Sequence, residues 1–107
     1  KLFALHREAK IFVTGYSLGS ALTTIAALDL HAIFGKVDQL YTYGEPRVGN
    51  EAFASFVTAS IPERYRVIHY ADIVPHVPPQ LPVPYAHFAN EIWYDEAVKT
   101  FKQCGAE

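Results

Sequence analysis

The chain has 107 residues, half of them hydrophobic and 14% aromatic, with a formal net charge of −2. This is the composition of a globular chain the size of one small domain. Nearly balanced charge with no basic run argues against a nucleic-acid partner, and no apolar run approaches the ~18 residues that a membrane span requires.

In chain order, Leu2, Leu5 and Ala9 recur at helical spacing and suit the tail of a helix. Ile11-Phe12-Val13-Thr14-Gly15-Tyr16 then reads as a strand that runs through Gly15-Tyr16-Ser17-Leu18-Gly19 into a helix. A strand meets a helix this abruptly only if the residue between them takes a strained backbone and juts outward, and that residue is Ser17. Gly15 and Gly19 flank it at positions where a side chain is expected to collide. The same turn aims free N–H groups and a partial positive charge from the helix start at the serine hydroxyl. A nucleophile and an anion site therefore coincide.

From Leu18 to Phe34 apolar residues recur at three and four, and Gly35 is a stop signal. Ala21, Ala26 and Ala27 are small enough for close approach to a sheet. Gln39–Tyr43 is a second strand, Gly44–Gly49 a loop, and Asn50 caps a helix over Glu51–Ser60 with Phe53, Phe56 and Val57 as its apolar face. Tyr65–Tyr70 is a third strand. Strand, helix, strand, helix, strand predicts an α/β fold, a mainly parallel sheet with flanking helices on its faces. The segment 72–84 carries five of the seven prolines and reads as an extended, fixed loop whose Ile73, Val74, Val77 and Leu81 pack against the body. Ile92-Trp93-Tyr94 is a short strand, and residues 96–102 fit a helical turn or a strand.

Asp72 follows the third strand and so emerges at the same carboxyl edge as Ser17, where the acid of a Ser–Asp–His triad belongs, although an Asp after a strand also serves as a turn former or cap. A base must reach Ser17 with one ring nitrogen and Asp72 with the other. His6 and His31 lie before the acid on helices, and His69 lies inside a strand, leaving His76 and His87. If the Ile92–Tyr94 strand runs parallel to the others, His87 is at the wrong end of the sheet; if antiparallel, it is near the site. A zinc reading of His69, Asp72 and His76 lacks a second helical His pair or a cysteine pair, so no metal is expected. Arg47 is expected to bind an anion or to pair with Glu45 or Glu51. Cys104 is the one cysteine, so an internal disulfide is excluded, a partner beyond Glu107 stays open, and the redox compartment is undecided.

Four blocks resemble the class 3 lipases of the fungal triacylglycerol-lipase type. They are Thr14-Gly15-Tyr16-Ser17-Leu18-Gly19-Ser20, Tyr43 through Asn50, Asp72-Ile73-Val74-Pro75-His76-Val77-Pro78-Pro79, and His87 through Tyr94. The resemblance implies an α/β-hydrolase acting through Ser17 as nucleophile, Asp72 as acid and the Leu18 N–H in the oxyanion hole, on an ester or acylglycerol substrate, with no cofactor. It implies that His87 is not the base, which lies in a later block without a counterpart here. Residues 1–107 are then expected to be part of a hydrolase domain whose first strands, lid, second oxyanion donor and catalytic-histidine segment lie elsewhere. Transient contact with a lipid interface through that lid and secretion are also implied. A feruloyl-type esterase and a non-catalytic hydrolase-like binding module are the alternatives. Tyr16 and Ser20 depart from the family's usual histidine and glycine.

Overall fold

A computed structural model describes residues 1–105. Ala106 and Glu107 lie outside the described residues. The alternation of strands and helices produces a five-stranded sheet in the order β1 (Phe12–Tyr16), β2 (Gln39–Tyr43), β4 (Arg64–His69), β6 (Glu91–Tyr94), β7 (Phe101–Cys104). The first four strands run parallel, and β7 pairs antiparallel with β6. Parallel neighbours bring the carboxyl ends of β1, β2 and β4 to one edge, and the register sets Tyr16 beside Tyr43 and Tyr43 beside Val67. A two-residue β3 (Gly49–Asn50) pairs with β5 (Tyr85–Ala86), a contact between distant loops that no local pattern announces.

Helix α1 (Leu2–Leu5) is a single turn, shorter than the spacing through Ala9 suggests. Helix α2 (Leu18–Phe34) has the expected bounds and ends at Gly35, whose φ of 77° is left-handed and tolerated by glycine. The face it turns to the sheet is not the large apolar one. Ser20, Thr24 and Ala27 are buried, whereas Leu22 and Ile33 are 61% and 70% exposed. Close approach to β1 and β2 selects small side chains for the contact and leaves the bulky ones on the flank. Helix α3 (Glu51–Ser60) begins at Asn50, whose side chain accepts the N–H of Phe53 at 3.0 Å. Its Val57 is buried but Phe56 is exposed, which narrows the predicted apolar face.

The core joins Ala27 of α2, Leu40 of β2, Ala54 and Val57 of α3, and Val37, Ile61 and Phe88. Both long helices therefore lie on the side of the sheet that Leu40 faces, not on both faces. The other side carries Tyr41 and Tyr65, stacked at 5.0 Å, together with exposed Tyr16 and Tyr43. Burying a leucine as completely as Leu40 contributes about 1.5–3 kcal/mol.

The proline segment also departs from expectation. It contains a 3₁₀ turn, Val74–His76, and its Ile73, Val77 and Leu81 are exposed while Pro75 is buried. Proline at the start of a turn needs no N–H donor, which lets a short helical turn form within a stretch otherwise barred from helix. Residues 96–102 resolve into a turn held by Asp95, whose Oδ1 accepts the N–H of Lys99 at 2.8 Å, and the start of β7. No helix of the described residues is long and apolar enough to cross a membrane.

Candidate active site

Ser17 stands between β1 and α2 with φ 55° and ψ −127°, a conformation that costs a non-glycine residue about 1–3 kcal/mol. Its N–H donates to the carbonyl of Tyr43 at 2.8 Å, tying the turn to the end of β2. Its side chain makes no capping hydrogen bond, so the hydroxyl is not engaged by the helix it precedes. Leu18 is the first helical residue, and its N–H has no intrahelical acceptor by position.

The two flanking glycines differ. A Cβ on Gly15 would lie 2.5 Å from the carbonyl oxygen of Gly19 and would also strike Thr23 Oγ1, so glycine is required there. A Cβ on Gly19 meets nothing within 4 Å, so the expected collision at that position is absent among the described residues. Ser20, the departure from the usual glycine, is fully buried. Its Oγ lies 2.7 Å from the carbonyl of Gly15 and 3.0 Å from that of Tyr43, and it accepts the N–H of Tyr43 at 3.2 Å. A hydroxyl at that position fastens the ends of β1 and β2 beneath the serine.

Asp72 reaches the same edge by way of β4. Tyr70, at φ 46°, turns the chain, and its carbonyl accepts the indole N–H of Trp93 at 2.9 Å. Asp72 Oδ1 then accepts the N–H of Val74 at 3.0 Å and opens the 3₁₀ turn. Its other oxygen, Oδ2, lies 2.8 Å from where a Cβ would stand on Gly44, whose φ is +57°. Glycine at 44 thus serves both a left-handed backbone and the space of the carboxylate. Tyr16, Tyr43, Gly44, His69, Tyr70 and Asp72 line a cleft of about 610 Å³ at this edge. Ser17, next in sequence to Tyr16, is not one of its lining residues.

No histidine completes the pair: among the described residues neither the Ser17 hydroxyl nor the Asp72 carboxylate has a histidine ring as partner, the one contact being the Asp72 N–H on the carbonyl of His69 at 3.1 Å. Strand β6 runs parallel to β4, so His87 enters from the opposite end, and it is buried with Nε2 2.8 Å from the carbonyl of Pro75. A carbonyl only accepts, so Nε2 carries the proton in that contact. His76 is exposed. His69, read from sequence as a strand-interior residue, ends β4 in the cleft wall, with Nε2 3.2 Å from the carbonyl of Glu96. His69, Asp72 and His76 do not form a metal-ligand cluster; no group of three or more His, Cys, Asp or Glu suited to a metal occurs among the described residues. Cys104 is free and exposed.

The loop after β2 carries what sequence reasoning missed. Glu45 is 2% exposed and accepts hydrogen bonds from Thr24 Oγ1 at 2.5 Å and Thr42 Oγ1 at 2.8 Å. Burial pushes its pKa up to about 7 against the opposing pull of those two hydroxyls and the Arg66 guanidinium. Arg47, expected to meet an anion or a carboxylate, donates from Nη1 to the carbonyls of His76 at 2.6 Å and Pro78 at 2.9 Å. The signal for such a role, a long cation a fixed distance from a proline-rich segment, is not local.

A strained serine between a parallel strand and a helix, with an aspartate delivered to the same edge by a later strand, is the strand–turn–helix arrangement of an α/β-hydrolase fold. The chain belongs to the class 3 lipase family, whose model, "Lipase (class 3)", matches residues 1–81. It is 49% identical over 86 residues to the secreted mono- and diacylglycerol lipase 1 of Fusarium solani, across 80% of this chain and 25% of that protein. Lipase II from Rhizopus niveus superposes with a TM-score of 0.90 at 34% identity, covering 99% of this chain and 42% of that one. A triacylglycerol lipase whose catalytic centre is described as a serine-protease triad superposes at 0.87 with 36% identity, covering 99% of this chain and 42% of its own. The chain thus spans about a quarter of the Fusarium relative's length and under half of each solved lipase.

Proposed function

We propose that this chain supplies the nucleophile and the acid of a carboxylic ester hydrolase acting on acylglycerols, as one part of a larger hydrolase domain. The observation that carries this reading is the strained Ser17, whose φ of 55° is kept at the mouth of a helix with its hydroxyl unused. In the proposed reaction Ser17 Oγ attacks the ester carbonyl carbon while its proton passes to a histidine supplied from outside residues 1–107. The Leu18 N–H donates to the oxyanion, an interaction of a kind worth about 10²–10³ in rate. Asp72 orients the histidine and stabilises its charged form. The alkoxide leaves with the proton, and water then releases the acyl group from Ser17 by the same steps in reverse. No metal or organic cofactor enters these steps.

The acylglycerol substrate is supported by the names of the relatives and by the exposed Ile73, Val77 and Leu81 in the segment that follows Asp72, apolar side chains suited to acyl chains or a lipid interface. Secretion is proposed from the Fusarium relative. In the full-length enzyme, Ser17→Ala is expected to abolish hydrolysis of both emulsified acylglycerols and soluble aryl esters; near-wild-type rates would refute the assignment. Preference for the soluble ester over the emulsion would turn the reading toward a soluble-ester esterase.

A further inference from the structure

The 3₁₀ turn that carries Asp72 into the site has no helix or sheet to hold its carbonyls. Four consecutive ones nevertheless take donors from elsewhere in the chain. Pro75 O accepts from His87 Nε2 at 2.8 Å, His76 O from Arg47 Nη1 at 2.6 Å, Val77 O from the Arg47 N–H at 2.8 Å, and Pro78 O from Arg47 Nη1 at 2.9 Å. Arg47 and His87 are 8% and 6% exposed, so both donors are largely withdrawn from water. On the other side of the aspartate, Trp93 Nε1 holds the carbonyl of Tyr70. Asp72 itself is tied to the turn, because its Oδ1 accepts the Val74 N–H.

We propose that Arg47 and His87 are positioning residues, a two-sided clamp on the carbonyls of the acid loop that fixes where the Asp72 carboxylate meets the catalytic histidine. The inference rests on the reading of Asp72 given above. A guanidinium suits this role because the two N–H bonds of Nη1 are held in the guanidinium plane and point at two carbonyls two residues apart, a direction that a freely rotating lysine ammonium does not enforce. A buried imidazole suits it because Nε2–H donates along one direction whether the ring is neutral or charged. His87 thereby has a function in the chemistry without being its base.

The test uses the full-length enzyme and a soluble p-nitrophenyl ester. Arg47→Gln, Arg47→Lys, His87→Leu and His87→Gln are made singly, each in wild type and in Asp72→Asn, with kcat and KM measured separately. A misplacement of about 1 Å costs on the order of 10²-fold. Arg47→Gln and His87→Leu are therefore expected to lower kcat by about 10–100-fold with KM within about threefold. In Asp72→Asn the same changes are expected to alter kcat by less than about threefold, because no carboxylate remains to be positioned. Arg47→Lys is expected to fall between, and His87→Gln, whose amide N–H can replace Nε2–H, to stay within about fivefold of wild type. Equal losses in both backgrounds, a loss in KM alone, or unchanged kcat in Arg47→Gln and His87→Leu would overturn the clamp. Should the Arg47 variants lose cooperative melting, the His87 pair decides by the same criteria. If Asp72→Asn itself leaves hydrolysis near wild type, the assignment of the acid fails instead.

Discussion

Glu45 offers a test of the buried architecture that does not depend on turnover. The carboxyl is enclosed, with one hydroxyl donor on each oxygen, and its pKa stands at about 7 in the folded chain against 4.5 as the ordinary value. The folded state therefore holds a proton between those two values that the unfolded state has released. Stability from this group is fully present below about pH 4.5 and is lost as pH rises through about 7. At 1.36 kcal/mol per unit, the difference of roughly 2.5 units corresponds to about 3 kcal/mol. Glu45→Gln matches the shape of the protonated acid and can still exchange hydrogen bonds with Thr24 and Thr42, but it does not ionise. Urea denaturation of the full-length protein at pH 5 and pH 8 should show wild type losing about 2–3 kcal/mol more than Glu45→Gln between the two, part of the loss having already occurred by pH 5. Parallel pH dependences would refute the reasoning, as would a variant already destabilised at pH 5 by the amount that wild type loses on going to pH 8.

Other expectations follow from single contacts. Gly15→Ala should lower stability by about 1–3 kcal/mol, since a Cβ there meets the carbonyl oxygen of Gly19 at 2.5 Å, and a melting temperature like wild type's would refute the crowding. Gly44→Ala must hold a φ of +57° at a cost of about 1–2 kcal/mol and also crowd Asp72 Oδ2, so it should reduce kcat more than Gly35→Ala, which is left-handed but open. Ser20→Ala removes the hydroxyl that joins the ends of β1 and β2 and should cost about 1–3 kcal/mol in denaturant titrations, because the N–H of Tyr43 loses that acceptor. Asn50→Ala should lower stability by about 1 kcal/mol through loss of the cap on Phe53 N–H.

The elements that could be read from sequence are those set by local rules. Helix α2 has its expected ends because an elbow forces its start and Gly35 its stop, and Asn50 caps α3 through a contact three residues away. Strand β2 matches Gln39–Tyr43 because alternation and the following glycine act within the segment. What was not legible depends on partners far along the chain. The buried side of α2 is polar and small because a sheet lies against it, and Ser20 was visible only as a departure from a glycine. The prolines correctly barred a long helix, but the 3₁₀ turn at Val74–His76 depends on donors contributed by Arg47 and His87, 29 and 12 residues away from their acceptors. His87 could be placed only conditionally, since its end of the sheet depended on the direction of β6, which the pairing with β4 decides.

These long-range contacts converge on one short connection. Tyr43 O accepts the Ser17 N–H and lies within reach of Ser20 Oγ, so the end of β2 sets the height of the elbow. One residue later, the Gly44 N–H donates to Val67 O and its bare Cα leaves room for Asp72 Oδ2. Glu45 then anchors the loop under α2 through Thr24, and Arg47 holds the carbonyls that follow Asp72. A segment with no reacting group of its own thus controls the spacing of the two residues proposed to react. The consequence is directional. A shift in residues 43–47 should disturb Ser17 and Asp72 together, whereas loss of the cap at the start of α3, which bears neither residue, should lower stability without separating them. Comparing Gly44→Ala with Asn50→Ala at equal loss of stability isolates the difference: only the first should lower kcat, and equal effects on kcat would show that the connection is no more than part of the scaffold.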